Sequence, residues 1–296
     1  MPVKSRVIGL FINLLLDDYR GNQKLKRQNT KSKSKIPNSR SQISNPVLFV
    51  GAGPGDPELI TVKGQKALME ADLVIYAGSL VPEALLLWTR SGIRTISSAS
   101  MHLEEIVAEI KSAHADGQRV VRLHTGDPSL YGAVYEQMAE LGRLGIPYKI
   151  IPGVTAAFAA AAALGIEYTL PEVSQTLILT RMAGRTPVPE KENLASLARH
   201  QASMAIYLSM SAIEEVSDIL SDAYGAEAAC AVVYRASHPE EKIILTPLKD
   251  VSARVSAEKI TKHALIVVGR VLAISPDGLA YKSKLYDKKF THACRK

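Results

Sequence analysis

Three short loops contain residue types that could hold a small polar ligand, and each follows a run of apolar residues. Residues 51–56 read Gly-Ala-Gly-Pro-Gly-Asp, residues 125–130 read Thr-Gly-Asp-Pro-Ser-Leu, and residues 152–156 read Pro-Gly-Val-Thr-Ala. Glycine lets a backbone approach a ligand closely, while hydroxyl, carboxylate and backbone groups supply hydrogen bonds. The third loop also opens an alanine-rich helix, whose first amides can bind a carboxylate or another acceptor. These residues therefore favour ligand binding.

The first loop does not match the usual nucleotide-binding motifs. It lacks the Lys-Ser/Thr ending of a phosphate loop, and the spacing of Gly51, Gly53 and Gly55 lacks the last glycine of G-x-G-x-x-G. Taken alone, it can be a glycine-rich turn without any ligand. The presence of three such loops makes that alternative weaker.

The elements that must position these loops alternate between strand and helix, which predicts a parallel sheet covered on both faces. Because the carboxyl ends of parallel strands lie at one edge of a sheet, we expect the three loops to line one site. Strands are predicted at residues 47–50, 73–76, 94–96, 120–123 and 148–151. Helices are predicted at residues 61–70, 81–90, 103–115, 131–144 and 155–164.

The second half of the chain predicts another α/β unit, with a mixed sheet. The short connection from Tyr234 to Ile243 predicts an antiparallel pair of strands. We place the boundary near Gly153, so that residues 46–153 and 154–275 form two α/β/α domains around a cleft, followed by a tail at 276–296. Strands are predicted at 176–180, 204–208, 231–234, 242–246 and 264–268, with helices at 190–200 and 212–224.

The formal net charge of +7 comes from the first 45 residues, which contain ten Lys or Arg and two Asp. The remainder holds 26 of the 36 basic and 27 of the 29 acidic side chains, so its balance gives no sign of nucleic-acid binding. The apolar run at 7–16 is too short to cross a bilayer and has no small-residue cleavage site after it. We therefore predict a disordered basic extension at 1–45 and neither a nucleic-acid nor a membrane partner.

Cysteine and histidine usage gives no sign of a metal site. The chain has two cysteines, which exclude a disulfide framework and a Cys-rich metal centre, and its seven histidines are scattered without ligand spacing. Such sparse cysteine fits a reducing compartment, and we predict a cytoplasmic protein that binds no metal.

Taken in order, four motifs resemble the tetrapyrrole methylase family: residues 51–56, Leu-Ile-Thr at 59–61, Gly-Asp-Pro at 126–128, and residues 152–156. The resemblance covers about residues 46–275 and implies a homodimeric C-methyltransferase that uses S-adenosylmethionine. Further stretches at 170–176, 180–187, 205–209 and 283–287 resemble family members of cobalamin biosynthesis. They imply methyl transfer to C-11 of precorrin-4 or cobalt-precorrin-4.

The resemblance also implies which residues contact the ligands, with the cofactor folded in the cleft between the domains. The implied cofactor-binding residues are Pro54, Thr125, Gly126, Asp127, Leu130, Thr155, Ala156, Leu208 and Ala236. The expected substrate-binding residues are Gly53, Gly55, Asp56, Arg181, Arg185 and Arg235. The arginines are candidates because the macrocycle carries many carboxylates. Leu208 stands where relatives often carry methionine, which is apolar and similar in volume.

Some roles stay open at this point. The three arginines can equally form ordinary surface salt bridges, and Asp127 can either accept hydrogen bonds from the cofactor or only cap its loop. Displacement at a sulfonium needs no enzyme nucleophile, so we assign no catalytic residue. The alternatives are a sister methylase such as uroporphyrinogen-III C-methyltransferase and, with less support, an RNA-modifying methyltransferase.

Overall fold

The computed structural model describes residues 45–78, 81–274, 281–287 and 290–291. Within these ranges, ten strands form two five-stranded sheets accompanied by helices, so the predicted α/β class is confirmed. The predicted extension at 1–45 lies outside the described residues except for Asn45. The predicted tail is described only in part and contains a 3₁₀ turn at Lys284–Tyr286.

All five strands of the first sheet run parallel, in the order β3-β2-β4-β1-β5. The strands are β1 Val47–Gly51, β2 Leu73–Tyr76, β3 Arg94–Ser97, β4 Val120–His124 and β5 Tyr148–Ile151. The helices that accompany them are α1 Val62–Glu70, α2 Leu103–Ala115 and α3 Tyr135–Arg143, with 3₁₀ helices at Pro57–Leu59 and Glu83–Trp88.

Side chains alternate between the two faces of the first sheet and build a core on each face. Val50, Val121 and Leu123 belong to a cluster with α1, whereas Phe49 and Val120 belong to a cluster with α2 and α3. All five side chains are almost fully buried, and each such burial contributes about 1.5–3 kcal/mol. The loops at the strand ends therefore start from a well-packed base.

The second sheet is mixed, as predicted, in the order β6-β7-β10-β8-β9. Strands β6 and β7 are parallel, and the other neighbours are antiparallel, which confirms the predicted pairing of β8 with β9. The strands are β6 Leu177–Arg181, β7 Ser203–Tyr207, β8 Ala229–Tyr234, β9 Lys242–Pro247 and β10 Ala264–Val268.

Helix α4 packs on one face of the second sheet, and α5 to α7 pack on the other. The small side chains of Ala157 and Ala160 let α4 lie close to Ala205, Ala231 and Val267. The helices are α4 Ala156–Leu164, α5 Leu194–Ala198, α6 Ile213–Tyr224 and α7 Leu248–Ala257, with 3₁₀ helices at Glu190–Glu192, Met210–Ala212 and Arg270–Ala273. In the described part of the chain, no helix is both long and apolar enough to cross a membrane.

Two predicted helices of the first half were partly wrong. The one predicted at 131–144 begins only at Tyr135, because Tyr131 and Ala133 have positive φ angles of 54° and 47°. A left-handed backbone cannot continue a right-handed helix, and it costs about 1–2 kcal/mol at a non-glycine residue. The helix predicted at 81–90 is the shorter 3₁₀ helix that follows β2.

In the second half, the helix predicted at 190–200 is divided at Asn193. Its backbone is extended, and its side chain accepts a hydrogen bond from the Ser196 amide at 2.8 Å, which caps α5. Helix α7 was not predicted. It begins directly after β9, where Pro247 both ends the strand and precedes the first helical turn.

The loops that bear the candidate residues lie at one edge of each sheet, where the parallel strands end. The first edge consists of the loops after β1, β4 and β5, at 51–56, 125–134 and 152–155. The second edge consists of the segments that end or follow β6, β7 and β8, at 181–189, 207–209 and 235–241. Hydrogen bonds join the two edges, so they face each other.

Candidate active site

The three loops of the first edge meet at glycines that leave no room for a side chain. A Cβ on Gly153 would lie 2.1 Å from the carbonyl oxygen of Gly126, and one on Gly51 would lie 2.5 Å from Gly153 Cα. The Gly126 amide also donates to the Gly53 carbonyl at 2.8 Å. The expectation that the three loops meet at one edge is confirmed, and their close contact explains why these positions are glycine.

Asp127 fastens the second loop to the third. Its Oδ2 accepts a hydrogen bond from the Gly153 amide at 2.8 Å, and its Oδ1 accepts from the Ser129 amide at 2.8 Å and from the Ser129 hydroxyl. Burial alone would raise the pKa of Asp127, but these hydrogen bonds outweigh it and hold the pKa below its ordinary value. The carboxylate therefore joins and caps loops, whereas its contact with a cofactor stays a prediction.

A buried polar chain holds the turn after β4 from below. The Arg122 Nε donates to Gln137 Oε1 at 3.0 Å, and the Gln137 side-chain amide donates to the Ala133 carbonyl at 2.9 Å. These bonds fix the left-handed stretch between Tyr131 and Ala133 against helix α3. As a result Tyr131, whose side chain is partly exposed, has a defined place at the first edge.

His124 lies beside Arg122, buried at the end of β4. Its ring stacks on Phe49 with centroids 5.8 Å apart, and its Nε2 has no hydrogen-bond partner. Burial lowers the pKa of His124 to about 3, assisted by the Arg122 charge and opposed by a hydrogen bond with the Gly132 backbone. Burial likewise lowers the pKa of Arg122 to about 10. At neutral pH the His124 imidazole is therefore uncharged.

The second edge takes its shape from left-handed backbone at residues other than glycine. The φ angles are 55° at Leu208, 47° at Arg235 and 65° at Ser237. The apolar side chain of Leu208 is 70% exposed, whereas Ala236, which lies between Arg235 and Ser237 in the sequence, is buried. Strain at non-glycine residues is often concentrated at binding sites, so Leu208 is a candidate contact on structural grounds as well.

Tyr207 joins the second edge to the first, a role that sequence analysis missed. Its hydroxyl lies 2.7 Å from Thr155 Oγ1 and accepts a hydrogen bond from the Ala157 amide at 2.9 Å, so it caps α4 from the other sheet. Its ring also lies 5.4 Å from that of Tyr131. Thr155 makes no cap bond of its own. No local pattern could reveal this contact, since the partners are about fifty residues apart.

The three candidate arginines have different surroundings. Arg181 donates to the carbonyls of Met182, Thr186 and Pro187 at 2.7–3.2 Å, so its guanidinium holds its own loop together. Arg185 is exposed in that loop. Arg235 forms a salt bridge of 3.3 Å with Glu240. Arg235 thus already has an acidic partner, and Arg185 is the candidate whose side chain is most open to a ligand. Substrate contact by any of the three stays a prediction.

A cavity of about 480 Å³ lies beside β6 and the loop that follows it, and it reaches the first edge at Tyr131. It is lined by Tyr131 of the first edge and by Arg181, Val188, Pro189 and Glu192 of the second half, together with β6 and Leu197. This volume lies within the range of small-molecule sites, which is about 300–1,000 Å³. Among the predicted site residues Arg181 lines this cavity, whereas none of the predicted cofactor contacts does.

The predicted cofactor contacts divide between the two edges. Pro54, Thr125, Gly126, Asp127, Leu130, Thr155 and Ala156 lie at the first edge or where α4 begins from it, and Leu208 and Ala236 lie at the second. Of the expected substrate contacts, Gly53, Gly55 and Asp56 lie in the first loop, and the three arginines lie at the second edge. The arrangement can therefore hold one ligand between two walls.

The described residues contain no alternative chemistry of the metal or thiol kind. They include no group of three or more His, Cys, Asp or Glu side chains placed to hold a metal ion. Cys230 is buried in the second sheet, and burial raises the pKa of its thiol to about 12, which rules out an easily formed thiolate.

Sequence comparison identifies relatives over most of the chain. The family model of the tetrapyrrole (corrin/porphyrin) methylases matches residues 46–252. A cobalt-precorrin-4 C(11)-methyltransferase of Methanocaldococcus jannaschii is 55% identical over 251 residues, which are 84% of this chain and 96% of that protein. A precorrin-4 C(11)-methyltransferase of Pseudomonas aeruginosa is 49% identical over 84% of this chain and 98% of its own length.

Solved structures show the same fold. A cobalt precorrin-4 methyltransferase of cobalamin biosynthesis superposes with a TM-score of 0.76 at 44% identity, covering 79% of this chain and 99% of that one. A uroporphyrin-III C-methyltransferase of Thermus thermophilus, complexed with S-adenosyl homocysteine, gives 0.64 at 27% identity, covering 78% of this chain and all of that one.

Proposed function

This chain belongs to the tetrapyrrole methylase family, and from that premise we propose that it methylates C-11 of precorrin-4 or cobalt-precorrin-4 in cobalamin biosynthesis, with S-adenosylmethionine as the methyl donor. The observation that carries the proposal is the 55% identity to a cobalt-precorrin-4 C(11)-methyltransferase over 96% of that protein. The relatives at 55% and 49% identity differ in whether their name includes cobalt, so both substrates are retained.

The residues fit such a cofactor. The first edge offers closely packed loop backbones with a carboxylate at Asp127, and the second edge offers the exposed apolar side chain of Leu208. An adenosine with a charged amino-acid tail needs both kinds of surface, because such ligands combine apolar faces with a few convergent polar groups. When bound, S-adenosylmethionine supplies a methyl group on a sulfonium centre.

The protein contributes alignment. Tyr207 and the glycine contacts hold the loops in fixed positions, so that two bound reactants can be held in line. Correct positioning of two reactants can lower a barrier by about 7–11 kcal/mol. Arg185, exposed in the loop whose Arg181, Val188 and Pro189 line the cavity, adds a positive charge that suits a polycarboxylate. No side chain is assigned as a nucleophile.

The proposal is tested by incubating the purified protein with S-adenosylmethionine and each substrate. We expect precorrin-4 or its cobalt complex to gain one methyl group, located at C-11 by NMR. Methylation of uroporphyrinogen III instead would assign the protein to the sister activity, and no methylation of any of the three by folded protein would reject the proposal.

A pair of leucine variants locates the cofactor. Leu208→Asp places a charge at the proposed apolar wall, and Leu87→Asp places one at a leucine that is 84% exposed in the first half. We expect S-adenosylhomocysteine binding, measured by calorimetry, to be lost in Leu208→Asp and kept in Leu87→Asp. Equal binding by both variants would remove Leu208 from the site.

We further propose that the protein is a cytoplasmic homodimer. Both sheets end in strands that expose apolar side chains, namely β5 with Ile150 at 42% and β9 with Ile243 at 42% and Leu245 at 53%. Exposed apolar edge strands commonly pair with another chain. Light scattering should give twice the chain mass of 32.0 kDa.

The domain bounds at 46–153 and 154–275 likewise stay a proposal, which limited proteolysis can test.

A further inference from the structure

We propose that Ser237 and His238 form a latch that holds the end of the first loop against the second edge and thereby sets the affinity of the site for its cofactor. The inference rests on the proposed function, because it assigns a positioning role at that same cleft. It concerns residues 54–56 of the first loop and the turn at 235–241, which follows β8.

Ser237 makes the first contact of the latch. Its Oγ accepts a hydrogen bond from the Asp56 amide at 2.9 Å, across 181 positions of sequence. The Asp56 carboxylate is engaged elsewhere, on the Glu58 amide at 2.8 Å. Ser237 itself is fixed, because its own amide donates to Glu241 Oε2 at 2.6 Å. A hydroxyl held in this way can keep the Asp56 backbone in place.

His238 makes the second contact, by packing its ring against Gly55. A Cβ on Gly55 would lie 2.3 Å from the ring Cδ2. The pKa of His238 lies below its ordinary value because of burial and the Arg235 charge, which outweigh Glu240 and a hydrogen bond with the Pro54 backbone. A neutral ring therefore fills the space that any side chain at position 55 would need.

The turn that carries both residues is rigid enough to act as a support. The His238 amide donates to the Arg235 carbonyl at 2.9 Å, the Glu241 amide donates to the His238 carbonyl at 3.0 Å, and the Arg235 amide donates to the His263 carbonyl at 2.9 Å. The positive φ angles of Arg235 and Ser237 are maintained by these bonds. Such strain persists only where the surroundings fix it.

The latch affects the cofactor because Pro54, one of the implied cofactor contacts, lies in the segment 54–56 that the latch holds. The start of the first loop is joined to the other loops of its own edge, but residues 54–56 have the latch as their contact with the second edge. Without the latch, the loop must be ordered when the ligand binds. Ordering on binding reduces affinity, because the binding-competent conformation is then only partly populated.

The experiment is a mutational cycle across the contact, read by calorimetric binding of S-adenosylhomocysteine. Ser237→Ala, His238→Ala and Gly55→Ala should each weaken binding by about ten-fold at unchanged stoichiometry. The variant Gly55→Ala/His238→Ala should bind like His238→Ala alone, because removing the ring gives the added methyl group room. The control is His200→Ala, at an exposed position between α5 and β7 and outside the latch turn, which should bind like the wild type.

Kinetics provide a second readout. In the latch variants the KM for S-adenosylmethionine should rise about ten-fold while kcat stays near the wild-type value, because the latch acts on binding. The latch would be overturned if His238→Ala and Ser237→Ala bound S-adenosylhomocysteine as tightly as the wild type. It would also be overturned if the affinity loss of the Gly55→Ala/His238→Ala variant equalled the product of the losses in the two single variants. A lowered stoichiometry with unchanged affinity, which indicates a structural role, would overturn it as well. A wild-type protein that binds no cofactor would reject the proposed function and the latch together.

Discussion

The first and second edges face each other across one site but are built in different ways. At the first edge, glycines meet backbone to backbone, and the residue with no side chain fills each tight position. At the second edge, Leu208, Arg235 and Ser237 adopt left-handed backbone although each carries a side chain. The comparison shows that the glycine contacts between the loops of the first edge avoid strain through their composition, whereas the second edge, like the Tyr131–Ala133 stretch after β4, tolerates strain to present side chains.

The largest expected effect tests the glycine contact of the first edge. Gly153→Ala would place a Cβ 2.1 Å from the backbone oxygen of Gly126, where no flexible side chain can move aside. We expect a loss of about 3 kcal/mol or more of unfolding free energy, or failure to fold. Urea unfolding measures this. Gly142→Ala is the control, because Gly142 lies in α3 with nothing near its Cβ position, and it should gain about 0.5–1 kcal/mol.

The second prediction tests whether the first edge depends on a neutral His124. Its pKa is about 3 in the folded protein against 6.5 for the free side chain, so the unfolded chain binds the proton more tightly. Stability should therefore be complete above pH 6.5 and fall as the pH decreases toward 3. His124 alone should lower the free energy of unfolding by about 2 kcal/mol at pH 5, because each pH unit between the two pKa values corresponds to about 1.36 kcal/mol.

The measurement is urea unfolding at pH 7 and pH 5. The variant His124→Phe keeps a ring beside Phe49 but cannot titrate, so it should lose less stability between these values than the wild type. His200→Gln, at an exposed position, should keep the wild-type difference. Parallel loss in His124→Phe and the wild type would show that His124 does not cause the acid sensitivity.

The third prediction concerns the strained leucine of the second edge. Leu208→Gly removes the cost of a left-handed residue, so the protein should become more stable by about 1 kcal/mol. Because an exposed apolar contact is lost with the side chain, S-adenosylhomocysteine should bind about ten-fold more weakly. Lys259→Gly, at an exposed position with a φ of 56°, should gain similar stability at unchanged affinity. Equal affinities in the two variants would make Leu208 strained without a binding role.

The smallest expected effect separates the two arginines of the loop after β6. Arg185→Gln should raise the KM for the tetrapyrrole a few-fold, since an exposed ion pair contributes only about 0–1 kcal/mol, and the effect should decrease as salt increases. Arg181→Gln should instead loosen the loop, because three carbonyls lose their donor. Limited proteolysis should then cut this loop faster. If the KM for the tetrapyrrole rose in a salt-dependent way in Arg181→Gln but not in Arg185→Gln, the two roles would be reversed.

Much of the first edge could be predicted from local sequence. Apolar runs located all five strands of the first sheet, and glycine and proline marked the loops that follow β1, β4 and β5. The second edge gave fewer signals, because leucine, arginine and serine are not typical of left-handed backbone. The late start of α3 was missed for the same reason, since Tyr131 and Ala133 do not indicate a helix boundary.

The sequence by itself determined the two sheets, the three glycine loops and the family, because alternation, glycine spacing and ordered motifs are local features of the chain. Only the tertiary structure decided how the site is closed. It brought Tyr207 to Thr155 and Ser237 to Asp56. Contacts between residues about 50 to 180 positions apart depend on how the sheets pack, and no local pattern encodes that packing.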